Sequence, residues 1–189
     1  MGRLYDELKR ELGPGMVIPE ALTKLYEWIE ERVLYRDGWG EAKPPFKVAA
    51  SHIRVGFLFP PAEHRTGWIR KRRIGGTQIS FSARGRKGLD YWFGFRDKRT
   101  GDDISGGKGD EILKKLCIFA TTGGEGSMAA LWLGDDGVQR IVHLGSGSGS
   151  TMVCVLTEDP VDFLRLLAIG YDEICWDHQF SDLPNARLS

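Results

Sequence analysis

Residues 116–144 read LCIFATTGGEGSMAALWLGDDGVQRIVHL. Three apolar runs of strand length, 116–120, 128–133 and 138–144, are separated by glycine-bearing breaks, the pattern of successive antiparallel strands. The last two are joined by Gly134-Asp135-Asp136-Gly137, which predicts a hairpin. Working outward, 151–156 reads as one more strand. Upstream, 68–74, 77–82 and 89–95 are short runs rich in Ile, Thr, Phe, Tyr and Trp between glycines, again hairpin-like. The stretch 48–59 is apolar without one clear period, so it reads as strand or loop.

Helices flank this β-rich middle. Leu4, Leu8 and Leu12 recur every four residues before Gly13-Pro14-Gly15, a short amphipathic helix with a hard stop. From Pro19 to Tyr35, Leu22, Leu25, Tyr26, Ile29 and Val33 follow helical spacing, with Glu27, Glu30 and Glu31 on the other face and Gly38 beyond the end. A third helix is expected from Asp159 as N-cap and Pro160 at the first turn, through Phe163, Leu164, Leu166 and Leu167, to a stop at Gly170. Strands run together between terminal helices describe an α+β fold, a single antiparallel sheet with N-terminal and C-terminal helices packed against it. One domain is expected over 1–189, with 1–15 as an N-terminal helical extension and 175–189 as a C-terminal tail.

Composition narrows the function classes. The 189 residues are 41% hydrophobic and 28% charged, which places the chain with ordinary globular proteins. No apolar run approaches the roughly 20 residues that span a bilayer. The start, 1–15, carries acids and lacks an apolar signal segment, and the three cysteines, Cys117, Cys154 and Cys175, have no paired close spacing. A cytoplasmic, reduced protein that makes no membrane contact is therefore expected. Net charge is zero but segregated: residues 1–64 hold 9 basic and 10 acidic side chains, 65–99 hold 11 and 2, and 100–189 hold 6 and 14. Either the two poles neutralise each other internally, or one faces a charged partner.

The run 118–126 (IFATTGGEG), the hairpin around Asp135-Asp136-Gly137, the run 141–146 (IVHLGS), the run 161–173 (VDFLRLLAIGYDE) and the entry Ile18-Pro-Glu-Ala-Leu22 ahead of a helix together resemble the SUKH superfamily. The resemblance covers the N-terminal helix and 116–173. It implies an antiparallel sheet of about six strands in an α+β domain. It also implies a protein-binding role without catalysis: many bacterial members are immunity proteins that block a toxin domain, often a nuclease, and eukaryotic relatives are regulators and scaffolds, including regulators of cell-wall assembly. Two segments depart from the family's pattern, the long basic block 65–99 and the Ser-Gly run 145–150.

Catalytic and cofactor motifs fail on spacing or context. In Gly106-Gly107-Lys108-Gly109 the last glycine stands where a P-loop needs Ser or Thr, and Asp102 stands where it needs Gly. In 145–150, Ser150 replaces the third glycine of a dinucleotide fingerprint, and the run precedes a strand. The same strand context removes a nucleophile elbow. His52, His64, His143 and His178 lack mutual spacing, and Cys175 with His178 supplies two ligands at most, so neither a metal nor a cofactor is expected. His143 in its apolar strand reads as a core residue.

Two binding readings remain. Arg70, Arg72, Arg84, Arg86 and Lys87, interleaved with Trp68 and Tyr91-Trp92-Phe93, have the ingredients of a nucleic-acid surface. In the alternative, Trp68, Ile74, Ile79, Phe81 and Phe93 point inward and the arginines form a solvated face. The sequence pI of 6.9 is low for a domain built around nucleic acid. On the acidic side the candidates for contact with a cognate toxin are Glu125, Asp135, Asp136, Asp172 and Glu173. Asp135 and Asp136 are also explained by turn preference, whereas Glu125, Asp172 and Glu173 have no such local role. A carboxylate-rich surface would fit the basic groove of a nuclease and speed association by steering.

Overall fold

The computed structural model describes residues 2–37, 53–58, 79–85, 99–100, 102, 106, 108–122, 126–145 and 153–168. Within them four helices, α1 (Arg3–Glu11), α2 (Glu20–Glu31), α3 (Gly109–Lys114) and α4 (Pro160–Ala168), accompany seven strands. The strands are β1 (Tyr35–Asp37), β2 (Arg54–Phe57), β3 (Ser80–Gly85), β4 (Leu116–Thr121), β5 (Met128–Leu133), β6 (Gln139–Leu144) and β7 (Val153–Thr157). They form one sheet in the order β1-β2-β3-β4-β5-β6-β7, every neighbouring pair antiparallel. The fold is α+β, with seven strands in place of about six.

One strand that the sequence runs do not contain, β1, begins where the periodicity still assigns the second helix. Val33 keeps the helical apolar spacing, yet α2 stops at Glu31. Leu34 N–H turns back to the Ile29 carbonyl at 2.9 Å and Val33 N–H to the Glu30 carbonyl at 3.1 Å, the closing bonds of a Schellman end. The chain leaves in an extended conformation, so Tyr35 opens β1 against Gly56. The ambiguous stretch 48–59 contains β2, and β3 begins three residues later than the run 77–82 suggests. α3 follows the glycine-rich run at 106–109 and has no counterpart among the expected elements. The expected strands 68–74 and 89–95 lie outside the described residues.

One face of the sheet carries the main core. Ile79 just before β3, Phe81 and Ala83 on it, Cys117 and Phe119 on β4, Leu131 on β5 and Ile141 on β6 meet Leu4 and Leu8 of α1, Leu22, Tyr26 and Ile29 of α2, and Phe163 and Leu167 of α4. Tyr26 meets Phe81 edge-on at 6.1 Å, and Phe119 meets Phe163 likewise at 5.5 Å, the arrangement that aromatic quadrupoles favour. Residues 1–15 are thus part of the core through Leu4 and Leu8. Gly56 lets the helices come close: a Cβ there would lie 2.9 Å from both Ile29 and Leu4. On the opposite face Leu116, Ile118, Met128, Ala130, Val142 and Leu144 are also buried, with Leu113 of α3 and Trp132 against them. The central strands β4 to β6 are therefore buried on both sides, which explains why they read as near-continuous apolar runs. No helix among the described residues is long and apolar enough to cross a membrane.

Candidate interaction surface

The β5–β6 hairpin carries the acidic candidates that the structure describes. Gly137 N–H donates to the Gly134 carbonyl at 3.0 Å, and Gly137 adopts φ +76°, a conformation that glycine enters without steric cost. Asp136 Oδ1 accepts the Val138 N–H at 3.0 Å, locking the turn. A Cβ on Gly134 would lie 2.5 Å from Asp136 Oδ1 and 2.7 Å from Arg140 Nη1. Its absence leaves room for a forked pair, in which Arg140 Nη1 and Nη2 donate to Asp136 at 3.0 and 2.7 Å while Nε donates to Glu158 at 2.8 Å. The same guanidinium lies 5.7 Å from the Trp132 ring centre. Asp135 pairs with Lys115, whose Nζ donates to Oδ1.

This end of the sheet is thus an ion-paired acidic rim. Arg140 holds the Asp136 carboxyl well below the ordinary carboxylate range, at about 2, with help from the Val138 N–H. Asp135 stays open to solvent, its side chain 94% exposed. Asp159 caps α4 as the sequence suggests, accepting the Val161 N–H at 2.8 Å. Arg165 is paired with Asp162 at 2.6 Å.

The five acidic candidates do not all gather here. Asp135 and Asp136 sit at the hairpin tip with Glu158. Thr122 and Gly126, the described residues nearest Glu125, lie at the other end of β4 and β5, a strand length or about 20 Å away. Glu125, Asp172 and Glu173 lie outside the described residues, as do Arg70, Arg72, Arg86 and Lys87 of the nucleic-acid alternative. Arg84 is partly buried on β3, and Ile79 and Phe81 point into the core at 1% and 0% exposure, as the inward reading of that strand requires. His143 is fully buried in β6. Among the described residues no group of three or more His, Cys, Asp or Glu is placed to hold a metal ion.

A second charged cluster, invisible in the sequence, lies where α1, α2, β1 and β2 meet. Arg54 donates to Asp37 through Nε and Nη2 at 2.8 and 2.9 Å and to Glu30 at 3.2 Å, while its guanidinium stacks 3.6 Å from the Tyr35 ring centre. Glu30 also accepts the Leu4 N–H at 2.8 Å and so caps α1 from another helix, in place of a side-chain cap from Gly2. A Cβ on Gly2 would overlap that carboxylate, 1.4 Å from Oε2. Glu7, only 5% exposed, accepts Arg3 Nε at 2.6 Å and the Arg54 N–H at 2.8 Å. Glu30 is therefore turned into the structure, unlike Glu27 and Glu31 on the solvent side of the same helix. Arg54, which ties this cluster together, stands 17, 24 and 47 positions from Asp37, Glu30 and Glu7, beyond any local pattern.

Compared with family models, with curated proteins and with solved structures, the chain matches none of them. What can be said of function rests on its own residues.

Proposed function

We propose that the chain is a non-catalytic, SUKH-like protein-binding domain that acts as an immunity protein against a nuclease-type toxin of a bacterial polymorphic system. The observation that carries this reading is the exposed acidic rim at the β5–β6 tip, Asp135 and Asp136 in the hairpin turn with Glu158, just past β7, bridged to them by Arg140. Carboxylates held on a hairpin meet a basic groove with little loss of side-chain freedom on binding. The α+β architecture, a meander with helices against it, is also the kind that the family resemblance implies. Fold alone does not fix a function, so the acidic rim and the resemblance support the reading together.

Affinity capture from a lysate of the source organism, run with and without nuclease treatment, tests it. One polypeptide retained in both samples, bound with 1:1 stoichiometry and weakened by Asp135→Lys, is the expected result. Retention that disappears with nuclease would replace this reading by nucleic-acid binding through the basic segment 65–99.

A further inference from the structure

β7 closes the sheet: it pairs with β6 and, among the described residues, with no other strand. Natural sheets guard such an edge with charge, proline or a bulge, because its outward N–H and C=O groups invite a further strand. At the opposite edge β1 is guarded by charge, Arg36 and Asp37 making up two of its three residues. β7, Val-Cys-Val-Leu-Thr, has neither charge nor proline. Its guard is a bulge at Leu156: Leu144 meets Val153, His143 meets Cys154 and Val142 meets Val155, and then the register shifts so that Ile141 meets Thr157. The flat part of the edge is therefore Val153-Cys154-Val155. Val153 and Val155 share a face with their partners Leu144 and Val142, yet they are 48% and 47% exposed where those two are buried. The apolar row on that face runs past β6 and ends in the open.

The order of these three residues says which strand fits. Val-Cys-Val reads the same in both directions, so an antiparallel second copy, related by a twofold axis at Cys154, sets each exposed Val153 opposite Val155 of the other copy and the two Cys154 residues opposite each other. A twofold interface demands such self-complementarity, and β-branched side chains directly opposite one another stabilise a strand pair. Glu158 and Asp159, just past the strand, fall at opposite ends of the pair, so the carboxylates of the two copies do not meet. We infer that β7 is a homodimer edge, to which a second copy of this chain adds its own β7 antiparallel, carrying the sheet from one subunit into the other. This inference does not rest on the immunity reading.

The test is the mass of the full chain in solution, followed by sedimentation equilibrium. Three paired residues make a smaller contact than the interface of a permanent dimer, so the mass climbs from 21.2 kDa toward twice that value between about 1 μM and about 1 mM protein. Val153→Lys and Val155→Lys each put an ammonium on the flat segment. Both weaken the dimer about tenfold or more and melt close to the wild type, because the valines are half exposed in the single subunit. In a chain carrying Cys175→Ser, with Cys117 buried, a short bis-maleimide joins two subunits through Cys154, since the axis sets those Cα atoms about 5 Å apart. Cys154→Ser removes the cross-link and leaves the mass unchanged. A mass of 21.2 kDa at every concentration would overturn the proposal, and so would a dimer that survives both lysine variants or is not joined through Cys154. A monomer that loses its captured polypeptide on Val155→Lys would assign the edge to a strand of that partner and overturn it as well.

Discussion

Two arginines sit between pairs of carboxylates in this fold, and their surroundings predict very different consequences when they are removed. Arg54 is 14% exposed, as is its partner Glu30, and it also holds Asp37 and stacks on Tyr35. Arg140 is 16% exposed, but Asp136 and Glu158 are 50% and 65% exposed. Replacing Arg54 by Met keeps much of the aliphatic packing and leaves the Glu30 carboxylate mostly buried, with the Leu4 N–H as its remaining described partner. Removing one member of a fully buried pair costs roughly 3–5 kcal/mol. A pair with some solvent access and a half-exposed second carboxylate stands below that, at about 2 kcal/mol.

Urea denaturation followed by tryptophan fluorescence reads this directly. With a slope of about 2 kcal/mol/M, Arg54→Met lowers the midpoint by about 1 M. Arg140→Met leaves solvated carboxylates behind and shifts the midpoint far less. Adding Glu30→Gln to Arg54→Met recovers part of the loss, because the amide oxygen still accepts the Leu4 N–H without a stranded charge. Equal midpoints for Arg54→Met and Arg140→Met would refute the claim that burial separates the two clusters.

Gly13→Ala would put a Cβ 1.7 Å from the Lys114 carbonyl oxygen; backbone must move, so a loss of about 3 kcal/mol or more is expected. Gly137→Ala meets open space and carries only the penalty of φ +76°, about 1–2 kcal/mol, so the order of their urea midpoints checks both. Asp136 titrates at about 2 in the folded chain against roughly 3.9 unfolded. Its stabilising contribution is thus present above about pH 4 and is lost as pH falls through about 2; carboxyl NMR measures the value directly, and Arg140→Met should move it back toward the ordinary range. Burial pushes the Tyr26 phenol up, so in an alkaline absorbance titration it stays protonated until the protein unfolds, and ionisation near the ordinary tyrosine value would contradict its place in the core.

The elements that were legible are those whose signals are local. β5 coincides with the run 128–133 because glycine-bearing breaks bound that run in the sequence on both sides. α4 begins where Asp159 and Pro160 say it does because a cap and a first-turn proline act within three residues. The apolar period overruns the end of α2 because Val33 extends it while the stop comes from backbone bonds that no side chain announces. β1, only Tyr35–Asp37, is too short for an alternation to register, and it exists because Gly56 and its neighbours on β2 offer a pairing edge. At the candidate surface the hairpin tip was legible from Gly134-Asp135-Asp136-Gly137. Its cations were not, since Arg140 reaches back across the turn and Lys115 arrives from the start of β4, 20 residues away. The Arg54 cluster joins four elements, so no window of sequence contains it.

Those cations decide which carboxylate can meet a partner. The block 100–189 holds 14 acidic and 6 basic residues, yet Lys115, Arg140 and Arg165 are each committed to carboxylates within it. A basic partner therefore meets less negative charge than the sequence tally implies. To bind Asp136 its cation must displace a forked arginine that also holds Glu158. Asp135 presents a lower barrier: it is 94% exposed and its lysine is 41% exposed, a pair of the kind that adds little to stability. Long-range attraction acts on the net charge of the rim, whereas the final contact acts on the carboxylate that can exchange partners. Asp135→Lys should accordingly slow association, and should do so most at low salt. Asp136→Asn removes one rim charge but also weakens the hold of Arg140 on the turn while its bond to Glu158 remains, so part of its effect on binding comes from a loosened hairpin. The two substitutions separate steering from preorganisation at the same turn.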